Sequence, residues 1–372
     1  MEFKVSCRHY VGEKPCLYNR LCEGCPHYSP MGMKILIIKL AAIGDVLRTT
    51  PLLRSLRQHY APCHITWVAD GMARELLSRN PLVDRLVTFG TPGMARFRWE
   101  AFDLCLSLDK DLCATVLAME VQATDKRGFG FSRVGNLIPL NPEAEYAVAL
   151  GMSDQLKFVE NTKTYQEIIF EACQLPYQGE EYVLELSEEE LARARERLAT
   201  WGAGSDRPVV GCFTGAGDVF VHKEWTIDGY CELITRLSAK ADAMCLLLGG
   251  LKERQRNAEI LKRVDVPVID TGSDNTLTEV ASIIDSCDVI VTGDTLAMHL
   301  AIARRKEVVA LFGPTCPQEV DLCGRGEKIV SPIECAPCYR STCDVETHCQ
   351  MLISVDDVFQ AVCRRLDRIR RA

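Results

Sequence analysis

Residues 34–51 read KILIIKLAAIGDVLRTTP. The run 34–40 is apolar on both faces of a strand, which is the pattern of a parallel strand covered on each side. The small-residue loop 41–44 follows, and then a stretch of helical periodicity over 46–60. Asp45 stands where that helix should start. Two readings of it are open: an N-cap, because its oxygen can accept orphan N–H bonds, or a general base. The loop favours the second a little, because small residues let a substrate approach the backbone. Pro51, early in the helix, is placed where a missing N–H costs least.

The strand–loop–helix texture repeats outward from this segment. Strand-like runs lie at 64–70, 84–89, 103–109 and 126–130, with a further helical pattern at 111–122. A second series follows at 207–213, 243–250, 266–272, 288–294 and 307–313, with helical patterns at 226–240, 252–263, 276–286 and 295–305. Two such series predict an α/β fold of two Rossmann-like, doubly wound parallel-sheet domains. The expected division is a Cys-rich extension at 1–32, a first domain at 33–190, a second at 205–353 and a terminal helix at 354–372. The hinge is expected near 187–206, where Gly202, Gly204 and Ser205 break the pattern. The terminal helix need not belong to the second sheet.

The chain has 372 residues, is 47% hydrophobic and 25% charged, and carries a net charge of −8. This is a globular composition, and its acidity argues against a nucleic-acid partner bound through bulk charge. No apolar run reaches the ~18 residues of a membrane span. Charges and cysteines fill the place where a signal peptide would be apolar, so a cytoplasmic location is expected.

In open parallel sheets ligands gather at the carboxyl ends of strands. Three loops there stand out. Residues 214–225 (TGAGDVFVHKEW) combine glycines with Lys223, a set suited to an anion but without P-loop spacing. Residues 293–299 (GDTLAMH) put Asp294 and Thr295 at a helix start, as an N-cap or as part of a diphosphate site at the helix N-terminus. His299 falls one turn on, on the same face. Residues 249–253 (GGLKE) place Glu253 just past a strand end, where a carboxylate can hold ribose hydroxyls or simply open a helix. Asp109-Lys110-Asp111 mimics a metal-binding acid pair but reads as a strand end and a helix cap.

These motifs, in this order, resemble glycosyltransferase family nine, the group of the ADP-heptose:lipopolysaccharide heptosyltransferases. The resemblance runs from about residue 33 to 349 and rests on 34–57, on 214–225 and on GDTLAMHLA followed by VVALFGPT. It implies a GT-B fold of two Rossmann-like domains facing a cleft, and inverting, metal-independent transfer of a heptose-like sugar from ADP-heptose or a similar nucleotide sugar. The acceptor would be a glycan or a lipid-linked glycan of lipopolysaccharide type. By the same resemblance Asp45 is the acceptor base and Lys223 stabilises the departing diphosphate. Thr214, Gly215, Asp294, Thr295 and His299 line the donor site, and Glu253 holds the ribose. Transfer to a protein hydroxyl, as in autotransporter heptosyltransferases, and a non-catalytic metal- or redox-binding scaffold are the alternatives. Leu296 stands where many relatives have glycine and would narrow the sugar pocket. Asp218-Val-Phe replaces the usual Trp-Pro.

Eight of the nineteen cysteines form two sets. Cys335, Cys338, Cys343 and Cys349 have spacing suited to a tetrahedral zinc or iron site, and autotransporter heptosyltransferases carry a comparable iron-binding finger. Cys7, Cys16, Cys22 and Cys25, with His9 and His27 nearby, lie in a segment too poor in aliphatic residues to build a core, so a metal or an iron–sulfur cluster would supply its order. One site shared by both sets is a further alternative. The tail residues Arg364, Arg365, Arg368, Arg370 and Arg371 read as a solvated helix end, with contact to anionic lipid at the inner membrane as the sharper alternative.

Overall fold

The structure is a computed structural model describing residues 1–202, 207–217 and 220–371. Gly204, Ser205 and Asp218, singled out above, lie outside the described residues. The chain divides into two compact units. The first comprises Met1–Ala42, Thr49–Met152 and Gln166–Glu180; the second comprises Ile43–Arg48, Ser153–Tyr165 and the chain from Glu181 onward. The division after Glu180 falls earlier than the expected hinge at 187–206. The helix that lies inside that expected hinge packs within the second unit, where Arg197 donates to Asn275 and to the Thr271 carbonyl.

In the first unit the strands are β1 (Met33–Ile38), β2 (Cys63–Ala69), β3 (Arg85–Thr88), β4 (Ala101–Ser107), β5 (Gln122–Phe131) and β6 (Leu137–Pro139). They form one sheet in the order β3-β2-β1-β4-β5-β6, parallel except for β6 on β5. Ile35, Leu36, Ile37 and Ile38 are all completely buried, so both faces of β1 are covered, as its continuous apolar run required. The helices are α1 (Ile43–Thr49), α2 (Leu52–His59), α3 (Gly71–Leu77), α4 (Leu112–Glu120), α5 (Glu145–Ala149) and α6 (Tyr165–Ala172).

The expected single helix over 46–60 is two helices, because Pro51 has no N–H for the ladder. Thr50 and Pro51 instead offer their carbonyls to Leu53 and Arg54. Asp109 and Asp111 do structural work, as expected. The Asp109 carboxylate accepts the Leu40 and Ala41 N–H groups and pairs with Lys39 at 3.1 Å. Asp111 caps α4 by accepting the Ala114 N–H.

In the second unit the strands are β7 (Val209–Phe213), β8 (Met244–Leu248), β9 (Val268–Asp270), β10 (Val289–Gly293), β11 (Glu307–Phe312) and β12 (Gly326–Val330). They are all parallel, in the order β12-β11-β10-β7-β8-β9. The helices are α7 (Glu188–Thr200), α8 (Ile227–Ala241), α9 (Arg254–Arg263), α10 (Leu277–Asp285), α11 (Leu296–Ala303) and α12 (Val355–Arg371). The strand order reverses between β7 and β10, which in doubly wound sheets opens a crevice at the carboxyl ends. Helix α12 belongs to this unit: Val358, Val362 and Leu366 are buried in one core with Leu233, Val309 and Leu311. Its apolar stripe at i, i+4, i+8 forces that docking. Three of its five arginines have local partners at these distances: Arg364 and Arg365 pair with Glu327 at 2.6 and 2.9 Å, and Arg368 approaches Glu307 at 3.6 Å. Among the described residues no helix is long and apolar enough to cross a membrane.

Candidate functional site

The carboxyl ends of β8, β7 and β10 carry the three loops singled out above, side by side in the second unit. After β10, Asp294 lies against Lys223. The ammonium Nζ is 3.0 Å from Oδ2 and also donates to the Asp294 carbonyl at 3.1 Å. Burial alone would push the Asp294 carboxyl up, but the Lys223 ammonium, through its charge and its hydrogen bond, outweighs it and holds it below the ordinary carboxylate range. Thr295 is the residue preceding α11, yet its hydroxyl does not cap the helix. It pairs with the Thr292 hydroxyl at 3.0 Å instead. The N-terminus of α11 is thus not capped by the side chain at its capping position. Leu296 opens the helix half-buried.

After β7, the buried Thr214 donates to Asn257 Oδ1 at 2.6 Å. Glu253 precedes α9 and turns its carboxylate back to accept the Gly250 N–H at 2.7 Å. This packs the carboxylate onto Gly215, where a Cβ would come within 2.0 Å of Oε1. Thr214, Gly215, Glu253 and Asn257 are therefore one cluster, in which residue 215 must be glycine for steric reasons.

Residues 43–48 belong to the same unit. Helix α1 begins at Ile43, so Asp45 stands within its first turn. Its Oδ1 is 2.9 Å from Arg48 Nε, and the Arg48 guanidinium lies 3.7 Å over the Tyr165 ring. Gly44 packs directly on His299, where a Cβ would come within 2.7 Å of Cδ2. The glycine of the small-residue loop thus makes room for a side chain of this protein. His299 is buried, and its Nδ1 is 3.3 Å from the Tyr182 hydroxyl. Burial first, and then the Arg48 charge, lower its pKa to about 4, so the imidazole is neutral near pH 7. Asp45 and His299 thus share one neighbourhood, and Lys223 and Asp294 pair in the same unit.

Three aromatic side chains stand by this group, of which the sequence marked only Phe220. Tyr339 stacks on Phe158 at 5.7 Å and meets Phe220 edge-on at 5.8 Å; Lys223 Nζ is 5.1 Å from the Phe220 ring centre. Tyr339 comes from the C-terminal cysteine loop, whose Cys338 and Tyr339 N–H groups both donate to the Pro314 carbonyl. Cys349 packs under Gly313, and burial first, then Cys338, Cys343 and Cys335, push its thiol up to about 11. All nineteen cysteines are free thiols. Among the described residues no three His, Cys, Asp or Glu side chains close around a point that one metal ion could occupy. A tetrahedral ion on either cysteine set, as expected from spacing alone, is therefore not preformed.

The family described as "Glycosyltransferase family 9 (heptosyltransferase)" matches residues 94–348, well over half of the chain. The chain belongs to glycosyltransferase family 9. The match begins beyond β1 and Asp45, so it covers the Lys223 and Asp294 loops but not the opening motif. This family 9 transferase is 28% identical over 301 residues to lipooligosaccharide heptosyltransferase 2 of Haemophilus ducreyi, covering 77% of this chain and 84% of the relative. Its fold is similar to that of the family 9 glycosyltransferase of Veillonella parvula, with a TM-score of 0.71, 18% identity and coverage of 90% of this chain and 98% of that one. It is also similar to E. coli ADP-heptose lps heptosyltransferase II, with a TM-score of 0.66, 22% identity and coverage of 91% and 100%. The transferase is thus an enzyme of two parallel-sheet α/β units of GT-B type.

Proposed function

We propose that this transferase moves a heptose-like sugar, with inversion, from a nucleoside diphosphate sugar to a hydroxyl of a lipopolysaccharide-type glycan, and that ADP-heptose is the donor. The observation that carries the proposal is the Lys223–Asp294 pair at 3.0 Å beside the start of α11, in the same unit as Asp45 and the neutral His299. The names of the relatives, heptosyltransferases of lipooligosaccharide and lipopolysaccharide, support the sugar and the acceptor class.

In this reading the diphosphate sits at the α11 N-terminus, where the helix dipole favours negative charge. Lys223 stabilises the charge that builds on the leaving phosphate. Asp294 holds that ammonium in place, and Glu253 with Thr214 faces the nucleoside. Asp45 takes the proton from the acceptor hydroxyl as the oxygen attacks the anomeric carbon from the side opposite the leaving group. Arg48 fixes the Asp45 carboxylate through their 2.9 Å pair. The step needs one base and one leaving-group cation, and both are side chains of this protein. We infer action on the cytoplasmic side, where nucleotide sugars are available. Metal on the C-terminal cysteines is a structural proposal only, supported by the spacing of Cys335, Cys338, Cys343 and Cys349.

Asp45→Asn tests the assignment. Transfer should fall roughly 10²- to 10⁴-fold, the usual contribution of general-base catalysis, while titration with ADP-heptose shows an unchanged Kd. Undiminished turnover would remove Asp45 from the reaction.

A further inference from the structure

Residues 1–32 contain no helix and no strand; their only ladder contact is the isolated bridge between Cys7 and Pro30. The segment is nevertheless closed. The Arg8 N–H donates to the Ser29 carbonyl at 2.8 Å and the Met31 N–H to the Ser6 carbonyl at 2.9 Å, so the ends of a long loop are tied together. Arg8 pins the tie to the first unit by donating to the Cys63 carbonyl at 2.8 Å and pairing with Asp84 at 3.5 Å. No apolar core holds what lies between. Phe3, Val5, Leu17 and Leu21 are all more than half exposed, and Cys7 is the only hydrophobic residue of the segment that is buried.

What the loop encloses is a cavity of about 390 Å³ with Cys7, Cys16, Cys22 and Cys25 on its walls. Cys7, Cys16 and Cys22 each open a hydrogen-bonded turn: their carbonyls accept the N–H groups of Tyr10, Asn19 and Cys25 at 3.0, 2.9 and 3.1 Å. His9 and His27 also line the cavity but are engaged with one ring. His27 stacks on Tyr18 at 3.9 Å and His9 meets the same ring edge-on at 5.2 Å. All four cysteines line this one space, and among the described residues no three ligands converge on a single-ion point. Zinc draws its four sulfurs about one centre. A polynuclear cluster holds them apart, one on each of several irons.

We propose that Cys7, Cys16, Cys22 and Cys25 bind an iron–sulfur cluster that fills this cavity and orders residues 1–32. The cluster arrives already assembled on a donor, whose terminal ligands on iron leave as the four cysteine thiolates replace them. Four thiols lose their protons to solvent and bind iron as thiolates; no electron changes hands. The proposal is independent of the transfer chemistry, which uses none of these residues.

The full-length protein, purified without oxygen, should contain iron and acid-labile sulfide in near-equal amounts. It should also show broad visible absorption that bleaches on reduction with dithionite. Cys16→Ser combined with Cys22→Ser should remove that absorption and most of the sulfide, whereas Cys343→Ser, in the other cysteine set, should leave both in place. Zinc without sulfide overturns the proposal, as does protein free of metal after anaerobic reconstitution with iron and sulfide. Absorption that survives Cys16→Ser with Cys22→Ser, or that vanishes with Cys343→Ser, also overturns it. The wild-type iron and sulfide content is decisive even if the double variant fails to fold.

Discussion

His299 shows how one side chain serves both fold and site. Its folded pKa of about 4 lies below the ordinary 6.5, chiefly because of burial. The unfolded chain therefore takes up a proton that the folded chain refuses. The resulting stability is complete above pH 6.5, falls as the pH drops and is gone below about 4. A shift of this size is worth up to about 3 kcal/mol. His299→Gln should flatten the dependence of Tm on pH across that window, and an unchanged slope would mean that His299 titrates normally. Gly44 gives a second test. In an open helix Gly→Ala stabilises by about 1 kcal/mol, but here the new methyl would meet the His299 ring at 2.7 Å. Overpacking of this kind typically costs about 1–3 kcal/mol. Gly44→Ala should therefore lower Tm and slow transfer together; a raised Tm would show that the ring does not pack there. Lys223→Met should reduce kcat by roughly 10²- to 10³-fold, as loss of a charge-stabilising donor does elsewhere, and a kcat within twofold of wild type would exclude the leaving-group role.

Among the elements, strands with a continuous apolar run were legible in the sequence, the edge strands β3 and β9 included, but the edge strands β6 and β12 were not. The runs that became β1, β7, β10 and β11 have continuous apolar centres buried on both faces, the pattern of a doubly covered strand. Strand β12, GEKIV, is half-exposed along the sheet edge, and β6 is three residues long, so neither stands out from a loop. Asp45, Lys223 and Asp294 were legible because they follow strand ends. Arg48 left one faint signal, its i, i+3 spacing from Asp45. Tyr182 and Tyr339 left none, since they come to the site only through tertiary packing. The packing of helix α12 was left open for the same reason: its stripe was readable, but not the surface it covers. Arg364→Ala with Arg365→Ala breaks the pairs to Glu327. Being largely at the surface, they should cost no more than about 1 kcal/mol each. Sedimentation with anionic vesicles should be the same for this variant and the wild type; a clear loss of vesicle binding would restore the membrane role of the tail.

At the scale of the molecule, one strand order serves two purposes. Both sheets follow the same winding, and in each the polar contacts collect where the order reverses. In the first unit that point is occupied by the Lys39–Asp109 pair, and in the second it leads to Asp294 and its partner Lys223. The chain assigns Ile43–Arg48 and Ser153–Tyr165 to the second unit, so Asp45 and Tyr165 join it across long stretches of sequence. Heptose transfer by this assembly can be measured by incubating the purified enzyme with ADP-heptose and a heptose-deficient lipopolysaccharide core, followed by mass spectrometry and NMR of the product. The expected product has gained the mass of one heptose, with the anomeric configuration inverted relative to the donor. An unmodified acceptor, with another nucleotide sugar consumed in place of ADP-heptose, would contradict it.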